Sequence, residues 1–220
     1  LDGRNALVGV PVTGDGPYEI PAFIPDSVTA FEVGYRGLYL AKKIYLDAYL
    51  FQNTYNGFLA TQNLVQNPEA PVSDQRRFQT VISTDRPITA YGWAIGADYA
   101  AGKGYIVRGN ISYNAIEETD DLRGFETRFN TPDYRFNLGI GNRNAIGNLG
   151  FNVNWRWQNE FFWESTFGNG QIPAFSTVDA QVSYKVRSLK SMFKIGGSNV
   201  LNDYYTTSFG SANIGGLYYI

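Results

Sequence analysis

The sequence contains no cysteine and no histidine, and these two absences exclude several classes of chemistry. Without cysteine the chain can form no disulfide and has no thiol nucleophile. Without histidine it lacks the base of the common catalytic triads and the usual zinc ligand. The lack of disulfides leaves the redox compartment open. We therefore expect no cofactor and no histidine-dependent enzyme.

Charge is also scarce. Lys, Arg, Asp and Glu make up 17% of the 220 residues, compared with about 25% in a typical soluble domain. The net charge of -2 and the pI near 5.2 provide no electrostatic reason to expect nucleic acid as a partner. No segment approaches the ~18 to 20 apolar residues of a membrane helix. A mean hydropathy of -0.25 suits a soluble protein and equally a membrane barrel with a wet interior.

Aromatic and turn-forming residues are abundant instead, with 16 Tyr, 15 Phe, 4 Trp, 24 Gly and 9 Pro. This composition favours strands and turns over helices. The opening LDGRNALVGV lacks the charged and long apolar regions of a signal peptide, so we expect a mature chain or a piece of a longer one.

Apolar and polar residues alternate strictly in segment after segment. Between residues 177 and 186, Val178, Ala180 and Val182 fall on one side, and Asp179 and Gln181 fall on the other. The same alternation recurs in the segments that begin at Tyr105, Tyr134 and Leu149. Successive side chains of a strand point to opposite faces, so the pattern predicts strands with one apolar and one polar face. A closed apolar core could not hold so many guanidinium and amide groups without leaving some unpaired.

Nine strands are predicted after an irregular segment at residues 1–28. They cover approximately residues 29–38, 43–63, 89–99, 104–118, 133–142, 147–163, 176–186, 191–199 and 217–220. The turns near residues 41, 102, 144 and 189 are short, whereas the connections near 68, 125, 169 and 208 are much longer. Such alternation, with long strands, is typical of an outer-membrane barrel.

Three segments resemble TonB-dependent outer-membrane receptors. The tail GGSNVLNDYYTTSFGSANIGGLYY resembles the family's C-terminal end, in which an Asn-Leu/Val-Leu-Asn-x-x-Tyr segment precedes the last loop and strand. Ile24-Pro25-Asp26 followed by Phe31-Glu32-Val33-Gly34-Tyr35 is similar to the family's "Pro-Glu... Glu-x-Gly" pattern, with Asp26 in place of the usual Glu. The aromatic run from Lys43 to Phe58 resembles the strand that follows. The tail is also similar to that of receptors of the Bacteroidetes type.

The resemblance covers most of residues 24–220 and implies an all-β, antiparallel up-and-down transmembrane barrel of 22 strands. It implies a receptor in the outer membrane of a Gram-negative bacterium that imports a scarce nutrient, such as a siderophore, an oligosaccharide or a cobalamin-like ligand. The implied partners are outer-membrane lipid, the small-molecule nutrient, and the TonB complex, which acts through an N-terminal plug domain.

No segment of this sequence resembles the plug, the TonB box or the earlier strands, and the last strand lacks the family's terminal aromatic residue. We therefore expect a C-terminal fragment of the barrel, with about nine of its strands. Residues 1–28 would be an irregular segment or outer loop, and residues 29–220 the barrel wall. Nine strands of a larger wall predict an open sheet, or one paired with another chain, rather than a small closed barrel.

Charged residues on the polar faces are candidates to face the barrel lumen, where they would line a substrate path or pair across neighbouring strands. They are Glu32, Arg36, Asp47, Asp98, Arg108, Arg135, Arg156, Asp179 and Lys185. Lipid-facing positions are predicted at Val33, Leu46, Val107, Leu138, Val153, Val182 and Val186.

The four tryptophans, Trp93, Trp155, Trp157 and Trp163, are candidates for aromatic girdles at the lipid boundary, and a sugar-stacking platform is the alternative. An acidic group offers hard oxygen ligands for a cation such as calcium, but without Asp-x-Asp-Gly spacing a solvated loop is the simpler interpretation. It consists of Glu117, Glu118, Asp120 and Asp121.

Two other functions remain open at this point. A soluble β-sandwich or β-barrel module that binds a ligand such as carbohydrate would be stable without detergent. An outer-membrane barrel enzyme is disfavoured because no nucleophile has a supporting context.

Overall fold

The structure is a computed structural model that describes residues 24–66, 70–84, 86–117, 125–165 and 168–220. In these residues the chain is all-β apart from one 3-10 turn at Val72–Asp74. The described residues include no helix with the length and apolarity needed to cross a membrane.

The strands of the described residues are numbered in chain order. They are β1 Ser27–Tyr39, β2 Ile44–Asn56, β3 Leu59–Gln66, β4 Arg76–Ser83, β5 Ile88–Gly102, β6 Tyr105–Ile116, β7 Phe125–Glu126, β8 Tyr134–Ile146, β9 Leu149–Gln158, β10 Phe161–Trp163, β11 Gly170–Ile172, β12 Phe175–Val186, β13 Ser191–Ser198 and β14 Leu217–Tyr219.

Nine of these strands form one antiparallel sheet in the order β1-β2-β5-β6-β8-β9-β12-β13-β14. Each of the nine predicted segments contributes one strand to this sheet, which confirms the predicted up-and-down order. Among the described residues, β1 and β14 lie at the two ends of the order and do not pair with each other. The sheet is therefore open, as expected for part of a larger wall.

The register of the sheet separates a polar face from an apolar face. One row of directly opposed residues crosses β6, β8, β9 and β12 as Arg108, Gly139, Asn154 and Asp179. The neighbouring row, on the opposite face, consists of Val107, Ile140, Val153 and Ala180. Opposed residues of adjacent strands point to the same side of the sheet, so each row lies entirely on one face.

The predicted lipid-facing residues do not enter a closed core. Val33, Leu138 and Val182 are exposed, and Leu46, Val107, Val153 and Val186 are half-buried. Asn154, the polar neighbour of Val153, is also half-buried. In a soluble sandwich we would instead expect Val153 and Val182 to be packed inside and Asn154 to lie in water.

Three predicted boundaries were wrong. The segment 43–63 forms two strands, because the left-handed backbone of Gly57 (φ 69°) separates the end of β2 from the start of β3. The following predicted loop contains β4, which pairs with β3. The segment 147–163 also divides, since β10 leaves the large sheet and pairs with β11.

The turn predicted at Arg143-Asn144 was also wrong. β8 continues to Ile146 through an irregularity in its pairing with β9 after Asn142. The turn follows at Gly147, whose backbone is left-handed (φ 61°). Between the pairs Asn142–Phe151 and Ile146–Leu149, β8 has two residues more than β9. The extra residues displace the turn without ending the ladder, and alternation alone does not reveal such a bulge.

The chain divides into two compact units. The first comprises the described parts of Leu1–Ala30, Asn53–Ala90 and Ile116–Phe129, and the second comprises Phe31–Gln52, Tyr91–Ala115 and the described parts of Asn130–Ile220. The first unit contains a three-stranded sheet in the order β4-β3-β7 and a small apolar core of Ala60, Leu64, Ile82 and Ile88. The second contains most of the large sheet.

Candidate functional site

A band of paired polar side chains crosses the polar face of the large sheet. We call it the polar belt and define it as Arg36, Asp47, Asp98, Arg108, Asn110, Asn137, Asn154, Arg156 and Asp179. It lies in the second unit and takes residues from β1, β2, β5, β6, β8, β9 and β12. Strand alternation places these side chains on one face, and the sheet order brings opposite charges together on neighbouring strands.

Three Arg–Asp ion pairs recur along the belt. Arg36 Nε lies 3.0 Å from Asp47 Oδ2. Arg108 Nε lies 3.3 Å from Asp98 Oδ2. A third pair joins Arg156 Nη2 to Asp179 Oδ2 at 3.0 Å. Most of these side chains remain open to solvent, so each pair alone contributes little to stability and leaves the guanidinium group reachable.

Asp179 is the best-connected carboxylate of the belt. Its Oδ1 accepts a hydrogen bond from Arg156 Nη2 at 3.1 Å and another from the backbone N–H of Asn199 at 2.9 Å. The backbone of Asn199 is left-handed (φ 50°) and its side chain is buried. Asp179 therefore fixes the start of the C-terminal tail as well as the orientation of Arg156.

A groove of about 360 Å³ lies where the belt crosses β6, β8, β9 and β12. Asn137 Nδ2 donates to Asn110 Oδ1 at 2.7 Å across its floor. Gly139 leaves the space that Asn154 occupies, because a Cβ atom there would lie 2.4 Å from Asn154 Oδ1. The groove offers guanidinium donors, amide groups and one carboxylate, which is a set suited to a polar ligand rather than an apolar one.

The structure brings six of the nine predicted lumen residues into ion pairs. The remaining three are Glu32, Arg135 and Lys185, and each is exposed. Arg135 opposes Ser112 and Gln158 at the start of β8, and Lys185 opposes Met192 near the end of β12. None of the three is within ion-pair distance of a carboxylate or basic group in the described part of the chain.

The candidate list omitted the three asparagines of the belt. The signal was present in the sequence, because Asn110 lies two residues from Arg108, and Asn154 lies two residues from Arg156. A spacing of two places them on the same face as the arginines. A list restricted to charged residues therefore left out three of the six polar side chains that line the groove.

Three of the four tryptophans lie on the apolar face with other aromatic rings. Trp155 and Phe136 have ring centroids 5.1 Å apart, and Trp93 and Tyr113 have centroids 6.3 Å apart. Trp157 opposes Phe136 in the register. Trp163 lies apart from them on β10, with Phe161 at 6.4 Å.

The aromatic residues of the apolar face form two groups. Tyr113 and Tyr134, 4.8 Å apart, lie towards the long connections, whereas Tyr105 and Phe151, 6.2 Å apart, lie towards the short turns. Tyr105 and Tyr113 are eight residues apart on β6, or roughly 27 Å along the strand.

The acidic group considered as a metal site is mostly outside the described residues, which include Glu117 but not Glu118, Asp120 or Asp121. Glu117 is exposed, and its backbone N–H donates to the carbonyl of Thr89 at 2.8 Å. No group of three or more metal-binding side chains occurs in the part of the chain that the structure describes.

The tail motif, residues 199–205, is held in place by hydrogen bonds and one aromatic contact. The amide of Asn199 donates to the Asp203 carbonyl at 2.8 Å, and Asn202 Oδ1 accepts the Gly216 N–H at 2.8 Å. The ring of Tyr205 stacks on Phe175 with centroids 4.3 Å apart. These contacts indicate that the two asparagines serve the fold of the tail rather than a ligand.

The sequence of residues 4–202 matches the family described as TonB dependent receptor-like, beta-barrel. The chain belongs to the TonB-dependent receptor family. The match covers most of the chain and agrees with the predicted barrel fragment. Receptors of this family are transporters and not enzymes, in agreement with the prediction that the chain is not an enzyme. No curated protein matches the chain.

Several solved structures share the fold. The copper transporter OprC aligns over 90% of this chain and 31% of its own, with 14% identity and a TM-score of 0.66. The pyoverdine outer membrane receptor FpvA from Pseudomonas aeruginosa, bound to pyoverdine, aligns over 86% and 27%, with 16% identity and a TM-score of 0.62. The siderophore receptor PiuA from Acinetobacter baumannii aligns over 86% and 26%, with 12% identity and a TM-score of 0.61.

At these identities the likeness shows the fold alone. The chain spans about a quarter to a third of the length of these TonB-dependent receptor structures. The total of 22 strands, the Bacteroidetes resemblance and the lumen and girdle assignments stay predictions.

Proposed function

We propose that this chain forms part of the wall of a TonB-dependent importer in the outer membrane of a Gram-negative bacterium. The single observation that carries the proposal is the two-faced, open nine-stranded sheet of a family member. An apolar face exposed on this scale is stable when lipid covers it, and the backbone groups at open edges require further strands in a membrane.

The aromatic groups of the apolar face support this placement. The roughly 27 Å between the Tyr113 and Tyr105 groups shortens to about 20 Å for strands tilted by about 40°, close to the apolar band of about 25 Å in outer-membrane barrels. We propose that Trp93, Trp155 and Trp157 belong to the girdle nearer the long connections. Short turns in such barrels face the periplasm and long connections face the exterior.

The polar belt would then face the lumen. Its ion pairs hold guanidinium groups at intervals across the wall, and the groove adds amide donors and acceptors between two of them. These groups suit a ligand rich in oxygen acceptors. We propose a scarce, polar, small-molecule nutrient, in the class of a siderophore, an oligosaccharide or a cobalamin-like ligand.

The proposed partners are outer-membrane lipid, that nutrient, and the TonB complex, which would act through a plug domain. Energy-dependent uptake tests the transport function directly. The receptor that contains this chain is expressed in a Gram-negative host with or without TonB, and uptake of a panel of labelled ferric siderophores, cobalamin and oligosaccharides is measured.

We expect at least one compound to accumulate only when TonB is present and to stop accumulating when a protonophore removes the proton gradient. Accumulation at the same rate without TonB would contradict the proposal. The paired variants Arg108→Gln and Arg135→Gln separate the groove from the rest of the polar face. Both remove one exposed charge, but only Arg108 lines the groove, so we expect the first to weaken uptake more.

A further inference from the structure

Six basic side chains lie in the four short turns of the large sheet or, in the case of Arg143, on the strand just before one of them. We call these six residues the basic rim: Lys42, Lys43, Lys103, Arg143, Arg187 and Lys190. All lie in the second unit and all are exposed. The four turns join β1 to β2, β5 to β6, β8 to β9, and β12 to β13, so they lie at the same end of the antiparallel sheet.

No charge of the opposite sign balances this rim. Residues 40–43, 102–105, 143–148 and 187–190 contain no acidic residue, whereas the four long connections at the other end contain twelve acidic and five basic residues. Within the described residues, no side chain of the rim is within 4.0 Å of a carboxylate. The rim is therefore an uncompensated cationic surface.

Two further features distinguish the rim from an ordinary solvated turn region. Lys42, Lys103 and Lys190 have left-handed backbones, with φ of 68°, 50° and 50°, a conformation that Gly or Asn adopts with less strain. Three of the turns also present a large apolar side chain to solvent. These are Leu40, Ile146 and Leu189, with exposures of 67%, 77% and 65%.

We infer that the basic rim binds anionic phospholipid headgroups of the leaflet that meets the short turns. Cationic side chains next to exposed apolar ones match a headgroup layer, where phosphate lies beside acyl chains. The aromatic group around Tyr105 and Phe151 lies at the same end of the strands as the basic rim, as expected for a lipid boundary. The inference rests on the proposed membrane placement, and short turns face the inner leaflet in such barrels.

The test uses the intact receptor in phosphatidylcholine vesicles that contain trace spin-labelled phosphatidylglycerol or phosphatidylcholine. Electron paramagnetic resonance measures the fraction of each lipid immobilised on the protein. The variant K42Q/K103Q/R187Q/K190Q removes four charges, and K42R/K103R/K190R keeps them at the same turns. Flotation of the receptor with the vesicles, measured first, tests the membrane placement separately.

We expect the intact receptor to select phosphatidylglycerol over phosphatidylcholine, and the Gln variant to lose that selectivity by roughly fivefold or more, because each rim charge attracts the lipid phosphate. The Arg variant should retain it, and added salt should weaken it. If the Gln variant and the intact receptor select phosphatidylglycerol equally, the inference is wrong. It is also wrong if soluble anionic peptidoglycan fragments displace the labelled lipid. Failure to float would instead count against the proposed function.

Discussion

Val153 and Asn154 are neighbours on β9 whose side chains lie on opposite faces of the large sheet. Val153 lies between Phe151 and Trp157, which places it near the middle of the apolar band. We expect Val153→Arg to reduce the free energy of unfolding in a bilayer by about 2 to 4 kcal/mol, the cost of a buried cation near the membrane midplane.

The matched control for this substitution is Asn154→Arg. Asn154 opposes Asp179, so a cation there gains a carboxylate neighbour, and we expect a much smaller loss. Equilibrium unfolding from lipid vesicles in denaturant gives both values. Equal losses at the two positions would show that Val153 does not face lipid.

Asp179 and Asp98 form similar ion pairs but differ in burial and in their other partners. The Asp98 side chain is 50% exposed, whereas the Asp179 side chain is 24% exposed and also accepts the N–H of Asn199. We expect Asp179→Ala to cost about 1 to 3 kcal/mol, because it leaves a backbone donor of the tail unpaired, and Asp98→Ala to cost at most about 1 kcal/mol.

The same vesicle titration measures both aspartate variants. A larger loss for Asp98→Ala would show that the hydrogen bond between Asp179 and the tail contributes little. Cleavage of the C-terminal tail by protease provides a second readout, and we expect it to accelerate only in Asp179→Ala.

For a single residue, the sequence predicts well which face of the sheet its side chain occupies. It predicts poorly which other residue that side chain pairs with. A spacing of two assigns each side chain of β9 or β12 to a face without knowledge of the neighbouring strand. The pairing of Arg156 with Asp179 depends on register, which is set by cross-strand packing and turn geometry. The Asn199 bond to Asp179 joins residues 20 apart and was beyond any local pattern.

At the scale of elements, the break between β2 and β3 depends on one glycine. Gly57 has φ of 69°, and a Cβ atom there would lie 2.9 Å from the carbonyl oxygen of Pro25. We expect Gly57→Ala to destabilise the β3–β4 hairpin by about 1 to 3 kcal/mol, because it adds a backbone clash to the cost of a left-handed alanine. Limited trypsin digestion should then cleave faster at Arg76.

Gly102→Ala is the matched control, since Gly102 is also left-handed (φ 87°) but has no atom within 4 Å of the added Cβ. It should leave cleavage of the hairpin unchanged. If the two variants are digested at the same rate, the contact between Gly57 and Pro25 does not hold the hairpin.

Most strands of the large sheet were predictable because they alternate apolar and polar residues, although the turn between β8 and β9 was misplaced. The β3–β4 hairpin was not, since the apolar and aromatic run continues through Gly57 without interruption. β10 was missed because it has only three residues and follows β9 after only Asn159 and Glu160. An isolated glycine permits a break but does not require one, and tertiary packing decides which occurs.

At the scale of the whole molecule, β1 and β14 leave the large sheet with two unpaired edges in the described part of the chain. Such edges pair readily with other strands, and a membrane tolerates only closed structures. We therefore expect the isolated 220-residue chain to associate with other copies in detergent rather than form a monomeric barrel.

The heat-dependent shift of a folded barrel on electrophoresis, combined with sedimentation, checks this expectation. The intact receptor serves as the control and should give a monomeric, heat-modifiable band. A monomeric band of the same kind from the isolated chain would show that it closes on itself as a small barrel.

In the proposed membrane placement, lipid covers the apolar face of the large sheet and water covers its polar face. This chain contains no cysteine, so a single cysteine introduced on β9, one residue at a time from Phe151 to Arg156, can carry a spin label. The labels are placed in the receptor reconstituted in vesicles, with any cysteine elsewhere in the receptor replaced by serine. Electron paramagnetic resonance then measures collision of each label with oxygen, which concentrates in lipid, and with a water-soluble nickel complex. We expect higher oxygen accessibility at 151, 153 and 155 and higher nickel accessibility at 152, 154 and 156. Loss of this alternation, or its reversal, would show that lipid does not cover the apolar face.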